Sequence, residues 1–205
     1  MRRIGLTGGI ACGKSTASRV LQSAGATLLD ADVIARELVE PGTEAWQHIR
    51  DRYGPGCLLP DGSLDRAWLR RRVFSEGTER LWLEALLHPR IRAEFLQRSH
   101  ALEAQDEAPD VLIWVVPLLL ESGYDRLVDG ILVIDCSRDS QWQRLRARAH
   151  WSDAEIATVL ARQTDAAHRR AAAHWVINND GGEAAFAAQV RAWWDSLQST
   201  PRTPS

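Results

Sequence analysis

Two spacings of apolar residues alternate along the 205-residue chain. Short apolar runs predict strands at Arg2 to Thr7, Ala26 to Leu29, Val111 to Val116, Ile131 to Asp135 and Trp175 to Ile177. Helical spacing follows most of them. Ala17, Val20, Leu21 and Ala24 line one face until Gly25, and Val33 to Val39 forms a helix that stops at Pro41-Gly42. Asp139 to Ala149 is helical, Ser152-Asp153-Ala154-Glu155 is a capping box opening the next helix, and Glu183 to Leu197 is the last. Strand–helix units of this kind predict an α/β fold with a parallel sheet and helices on both faces.

The stretch 41–106 breaks this rhythm. It holds no strand pattern and predicts helices at Glu44 to Arg52, Leu64 to Phe74, Glu79 to Leu87 and Arg90 to Ala104. Breaks fall at Gly54-Pro55-Gly56, Asp61-Gly62, Gly77 and Pro89. The expected organisation is a core of residues 1–40 and 107–198, a helical insertion at 41–106, and a Ser/Thr/Pro-rich, disordered tail at 199–205. No internal repeat is present.

Between the first strand and first helix lies Gly8-Gly9-Ile10-Ala11-Cys12-Gly13-Lys14-Ser15, a complete G-x-x-x-x-G-K-[ST] phosphate loop. Strand, glycine-rich loop and helix surround phosphates with backbone N–H groups and the positive end of a helix dipole. Lys14 is the only lysine among 25 basic side chains, and a slender point charge suits β/γ-phosphates where a planar guanidinium does not. Gly9, Ile10, Ala11, Cys12, Gly13, Lys14, Ser15 and Thr16 are therefore the expected ATP contacts, with the Ser15 hydroxyl on Mg²⁺. A Rossmann site fits less well, because no G-x-G-x-x-G occurs.

Composition narrows the partners. A formal net charge of −2 gives no support to nonspecific nucleic-acid binding, which usually needs a basic face. Nine scattered tryptophans read as packing residues. Cys12, Cys57 and Cys136 form neither a disulfide framework nor a C-x-x-C metal pattern, which suits a reducing cytosol. The longest apolar run, Val111 to Leu120, is too short to span a bilayer and contains Pro117, and the N-terminus lacks a signal-peptide pattern. The expected compartment is the cytoplasm. Nothing in the sequence sets an oligomeric state.

A guanine reader N-K-x-D is impossible in a chain with one lysine, and the Val111–Val116 strand ends without a Walker-B aspartate. A small-molecule kinase would need three more things: an acceptor-side base, an acceptor pocket and arginines that close over the phosphates. Asp30 and Asp32 follow the second strand at the edge where α/β ligands bind. Either could accept a proton from an acceptor hydroxyl, and either could instead cap the helix beginning near Val33. Arg144 and Arg148, spaced i,i+4, share a helix face that could serve as a lid or as a solvated surface; Arg146 points elsewhere. Arg70-Arg71-Arg72 reads better as a solvated helix face than as an acceptor-phosphate site.

Taken together, six ordered blocks make the chain resemble the dephospho-CoA kinase family almost end to end. They are IGLTGGIACGKST, LLDADVIARELVEPG at 28–42, LHPRIR at 87–92, VPLLLESG at 116–123, RLRAR at 144–148 with the following WS and Gln163, and VINNDG at 176–181. The resemblance implies a P-loop kinase core with a helical acceptor-binding insertion and a helical lid at about 139–170. The implied reaction is ATP-dependent phosphorylation of the ribose 3′-hydroxyl of dephospho-CoA. It further implies Asp32 as general base and Lys14, Arg144 and Arg148 as the charge clamp, with Asn178 and Asn179 beside the nucleotide base. Asp30, Asp32, His88, Pro89, Pro117, Leu118, Leu119 and Glu121 would lie on the acceptor side.

Three positions depart from the family's pattern. Ala11-Cys12 removes one glycine from the loop, which is comfortable only if Ala11 keeps φ below zero. Val159 stands where the lid often carries another arginine, with Arg162 three residues later as a substitute. Cys12, at a helix N-terminus beside Lys14, should have a lowered pKa and a thiol that reacts when ATP is absent. Two alternatives remain: a kinase for another hydroxyl acceptor, such as a nucleoside or shikimate, and a non-catalytic ATP-binding module.

Overall fold

The computed structural model describes residues 1–147, 152–161 and 165–199, with Phe74 and Ser75 by backbone alone. The chain divides into two compact units, Met1–Leu28 with Pro109–Ser205, and Leu29–Ala108. Five strands, β1 (Arg2–Gly8), β2 (Thr27–Asp30), β3 (Val111–Val115), β4 (Gly130–Asp135) and β5 (Trp175–Asn178), form one sheet in the order β2-β3-β1-β4-β5.

β1 is central. It pairs in parallel with β3, from Arg2 opposite Val111 to Leu6 opposite Val115, and with β4, from Ile4 opposite Gly130 to Gly8 opposite Ile134. Every residue of β3 and β4 is buried, as helices on both faces of a parallel sheet require. Among the described residues, five α-helices accompany this sheet in the first unit, α1 (Lys14–Ser23), α6 (Arg138–Ala147), α7 (Asp153–Ala161), α8 (Ala166–Ala172) and α9 (Glu183–Gln198), with a 3-10 turn at Tyr124–Leu127. Ile4, Leu6, Leu21, Ile113, Leu132, Ile134, Phe186, Val190 and Trp194 make its main core. Ser152 and Glu155 form the expected capping box: the Glu155 carboxylate accepts from Ser152 N–H at 2.8 Å, and Ser152 Oγ accepts from Glu155 N–H at 3.3 Å.

The second unit contains α2 (Ala31–Glu37), α3 (Glu44–Tyr53), α4 (Arg66–Ser75) and α5 (Gly77–Glu103). Thr43 and Asp65 cap α3 and α4 with their side chains. Ile49, Cys57 and Leu64 form a core with Trp46, Tyr53, Trp68 and Trp82, and Tyr53 meets both Trp68 and Trp82 edge-on. All eight described tryptophans pack against a core cluster or, for Trp114, against Tyr124, as their scatter predicts; Trp151 lies outside the described residues.

Pro89 does not break the helix. α5 runs unbroken through it, where the pattern predicts two helices. Proline removes the N–H that would bond the Ala85 carbonyl, but both residues are exposed, where water can serve that carbonyl. Meanwhile Leu83, Leu87, Ile91 and Phe95 keep one apolar stripe across the proline, so packing overrides the local breaker.

Candidate active site

The phosphate loop leaves the carboxyl end of β1 and runs into α1. The first turn of α1 has no acidic residue and its N-cap, Gly13, offers no side-chain acceptor, so its N–H groups face an incoming anion unclaimed by a cap. Gly13 has φ 109°, and a Cβ there would stand 2.3 Å from the Asn179 amide nitrogen. Lys14 folds back on the loop and donates from Nζ to the carbonyls of Gly8 (2.8 Å) and Gly9 (3.0 Å). Ser15 is exposed, and Thr16 Oγ1 accepts from Arg19 at 3.3 Å.

Ala11 takes φ 58°, the left-handed conformation that disfavours a Cβ. Strain is therefore present where a lost glycine threatens it. In compensation the methyl is buried against Leu145, Ile156 and Leu160 of α6 and α7, with Ile10 and Trp142 at the edge. Burying one methyl contributes about 0.8 kcal/mol, comparable to the roughly 1–2 kcal/mol cost of the conformation.

Backbone carbonyls of the loop are gripped from two places, α6 and the residue after β5. Gln141 Nε2 donates to Ile10 O at 2.9 Å. Arg144 donates Nη1 to Ala11 O at 3.3 Å and Nη2 to Asn179 O. Buried Asn179 donates Nδ2 to Cys12 O at 2.7 Å. Beside it, Asn178 Nδ2 donates to the Asp180 carboxylate at 2.9 Å. That carboxylate also accepts from Ser137 N–H, Ser137 Oγ and Ser140 Oγ, and these bonds, led by Ser140, hold its pKa well below the carboxylate range. Asn178 and Asn179 thus tie the end of β5 to the loop and to the start of α6. Gln141 and Asp180 escaped sequence reasoning, since single polar residues on a helix and in a turn carry no periodic signal.

Cys12 is fully buried, with Sγ 2.8 Å from Cys136 Sγ. Its pKa is lowered as expected, but the hydrogen bond from Cys136 is the main cause and Lys14 a lesser one. The Cys136 thiol is pushed up by the same contact and by burial. An enclosed thiol does not meet the accessibility that reactivity requires.

Of the lid residues, Arg146 is exposed on another face of α6 from Arg144, 4.0 Å from Asp153. Val159 is half-buried on α7. Arg148, Arg162 and Gln163 lie outside the described residues. Also in this unit, Pro117 O accepts from Thr7 Oγ1 at 3.2 Å, and Leu118 and Glu121 are exposed. Leu119 is fully buried against Gly5, whose Cβ would fall 2.3 Å from Leu119 Cδ1.

In the second unit, the carboxylates after β2 separate cleanly. Asp30 is the N-cap of α2 and accepts from Asp32 N–H at 2.8 Å. Partial burial raises the Asp30 pKa. Asp32 sits exposed in the first turn and is not the cap, which leaves its carboxylate for other work. His88 and Pro89 are exposed on α5. Arg70, Arg71 and Arg72 are exposed on α4, and Arg72 pairs with Glu76 at 2.7 Å.

A phosphate loop with its lysine and a helix N-terminus free of acid is a site for a nucleoside triphosphate. The dephospho-CoA kinase family model matches residues 2–185. The chain belongs to that family. It is 40% identical over 206 residues to a dephospho-CoA kinase of Cupriavidus pinatubonensis, covering 100% of this chain and 97% of that one. To a dephospho-CoA kinase of Yersinia pseudotuberculosis it is 43% identical over 187 residues, covering 91% and 88%. The solved dephospho-CoA kinase of Campylobacter jejuni superposes with a TM-score of 0.72 at 26% identity, over 96% of this chain and 98% of that one. The expected P-loop kinase fold is therefore present.

Proposed function

We propose that the chain transfers the γ-phosphoryl group of ATP to the ribose 3′-hydroxyl of dephospho-CoA, giving coenzyme A and ADP. Its membership of the family over residues 2–185 is the observation that carries this reading. The catalytic strategy is positioning and charge stabilisation. Loop amides and the N-terminus of α1 hold the β/γ-phosphates. Lys14, bonded to two neutral carbonyls, exchanges them for phosphate oxygens, because charge-assisted bonds are roughly twice as strong. Arg144 holds the loop in shape through Ala11 and Asn179, with Arg148 as the further lid charge. Asp32, freed of capping by Asp30, orients the acceptor hydroxyl and takes its proton.

Mg²⁺ fits this arrangement. Among the described residues no cluster of three His, Cys, Asp or Glu side chains could hold a metal, and magnesium on nucleotides relies chiefly on phosphates and water. Exposed Ser15 at the start of α1 would be its protein ligand. When bound, the ion neutralises phosphate charge. We assign the Leu29–Ala108 unit to acceptor binding, together with Pro117 to Glu121, and a cytoplasmic site of action. No described helix is long and apolar enough to cross a membrane.

The test is an ADP-release assay with MgATP that compares dephospho-CoA, adenosine, AMP and shikimate, with mass analysis of the product. Turnover on dephospho-CoA with one phosphoryl added at the 3′ position is the expected result. Turnover on another acceptor alone, or MgATP binding with no product, contradicts it.

A further inference from the structure

Arg169 belongs to the buried polar set of the first unit, at 7% exposure, and it is the arginine of that set. Its helix, α8, is held on both sides. Asp165 caps it by accepting from Ala167 N–H at 3.3 Å, and Arg170 binds the buried carboxylate of Asp135 at the end of β4. With Arg170 turned to Asp135, Arg169 is directed to the phosphate loop. Its Nη2 lies 3.2 Å from the point a Cβ on Gly9 would occupy, where Gln141 Nε2 and Cys12 Sγ also converge. A side chain at Gly9 would strike Gln141 Nε2 first, at 2.4 Å, and press tightly on this guanidinium. Along it runs a cavity of about 360 Å³, lined also by Ser137, Gln141 and Leu160.

We infer that Arg169 is a further catalytic residue, its guanidinium contacting the triphosphate from the Gly9 side of the loop while Lys14 contacts it from the other end of the motif. The inference rests on the kinase reading above. It meets a need the sequence leaves open, since Val159 stands where a lid arginine is expected and Arg144 gives both Nη atoms to carbonyls. Arg169 stabilises charge on the transferring phosphoryl oxygens as a preorganised donor, and no bond to it forms or breaks. Arg170 and Asp135 are its positioning pair.

The experiment compares Arg169→Ala, Arg169→Lys and the neighbouring exposed control His168→Ala, measuring kcat, KM for ATP, Tm, and rescue by guanidinium chloride below denaturing concentration. Arg169→Ala should lose ~10²–10³-fold in kcat with Tm near that of the wild type. Added guanidinium should restore part of that loss, Arg169→Lys should fall between, and His168→Ala should match the wild type. A kcat for Arg169→Ala within about threefold of wild type overturns the inference. So does a kcat loss that follows a lowered Tm and ignores guanidinium. Wild-type protein inactive on dephospho-CoA would instead overturn the kinase reading itself.

Discussion

Around the phosphate loop, Lys14, Gln141, Arg144 and Asn179 all donate to backbone carbonyls, whereas in the Leu29–Ala108 unit Arg52 and Arg98 donate to carboxylates. There Arg52 makes a forked pair with Glu79, which also accepts from Tyr53, and Arg98 joins Glu37 and Glu94. A carbonyl is a neutral acceptor that a phosphate displaces, so Lys14 is held ready for a ligand. A buried carboxylate is a final partner, so Arg52 is committed to structure. Substitutions in the first region should therefore change chemistry, and those in the second should change stability, with one intended exception at Asp32.

That exception gives the largest expected effect. Asp32→Ala should lower kcat by ~10²–10⁴-fold in steady-state turnover on dephospho-CoA; a variant keeping most of its kcat would remove Asp32 from the mechanism and restore a purely structural second unit. Lys14→Ala should cost at least ~10²–10³-fold in kcat, with a Tm in thermal unfolding near the wild-type value. Gly13→Ala should impair both stability and ATP binding. It forces a Cβ onto the Asn179 amide and a left-handed φ on an L residue, the latter alone costing about 1–2 kcal/mol; thermal unfolding with and without MgATP would reveal an unchanged Tm if the geometry were wrong.

Glu79 sharpens the other side. Its hydrogen bonds from Arg52 and Tyr53 hold its pKa down at about 2, against an ordinary 4.5. A depressed carboxylate contributes stability that is fully present above pH 4.5 and disappears as pH falls toward 2. Glu79→Gln should lower Tm at neutral pH, and the gap to wild type should close over that acid window while kcat at neutral pH stays near normal. A gap independent of pH would mean that packing, not the ion pair, is what Glu79 supplies. Smallest of all is Ala11→Gly: relief of the left-handed conformation and loss of the buried methyl nearly offset each other, so unfolding free energy should change by less than about 1 kcal/mol.

Much of this was legible in the chain. β3 and β4 read as strands because their continuous apolar runs match burial on both faces, and the loop motif alone identifies Lys14. Spacing could not decide which of Asp30 and Asp32 caps α2, because both fit a helix start; the hydrogen bond from Asp32 N–H to the Asp30 carboxylate shows that Asp30 does. Pro89 misled because a local breaker carries no information about the stripe that packs across it. Arg169 and Cys136 carried no signal, since each meets Gly9 or Cys12 only through the folding of distant segments.

The division of labour is tested most directly by titrating MgATP into Asp32→Ala in a calorimeter. The account predicts a Kd within about twofold of wild type, a difference of ~0.4 kcal/mol, in a protein whose turnover has collapsed. A Kd that weakens in step with the fall in turnover would place Asp32 in nucleotide binding and contradict it.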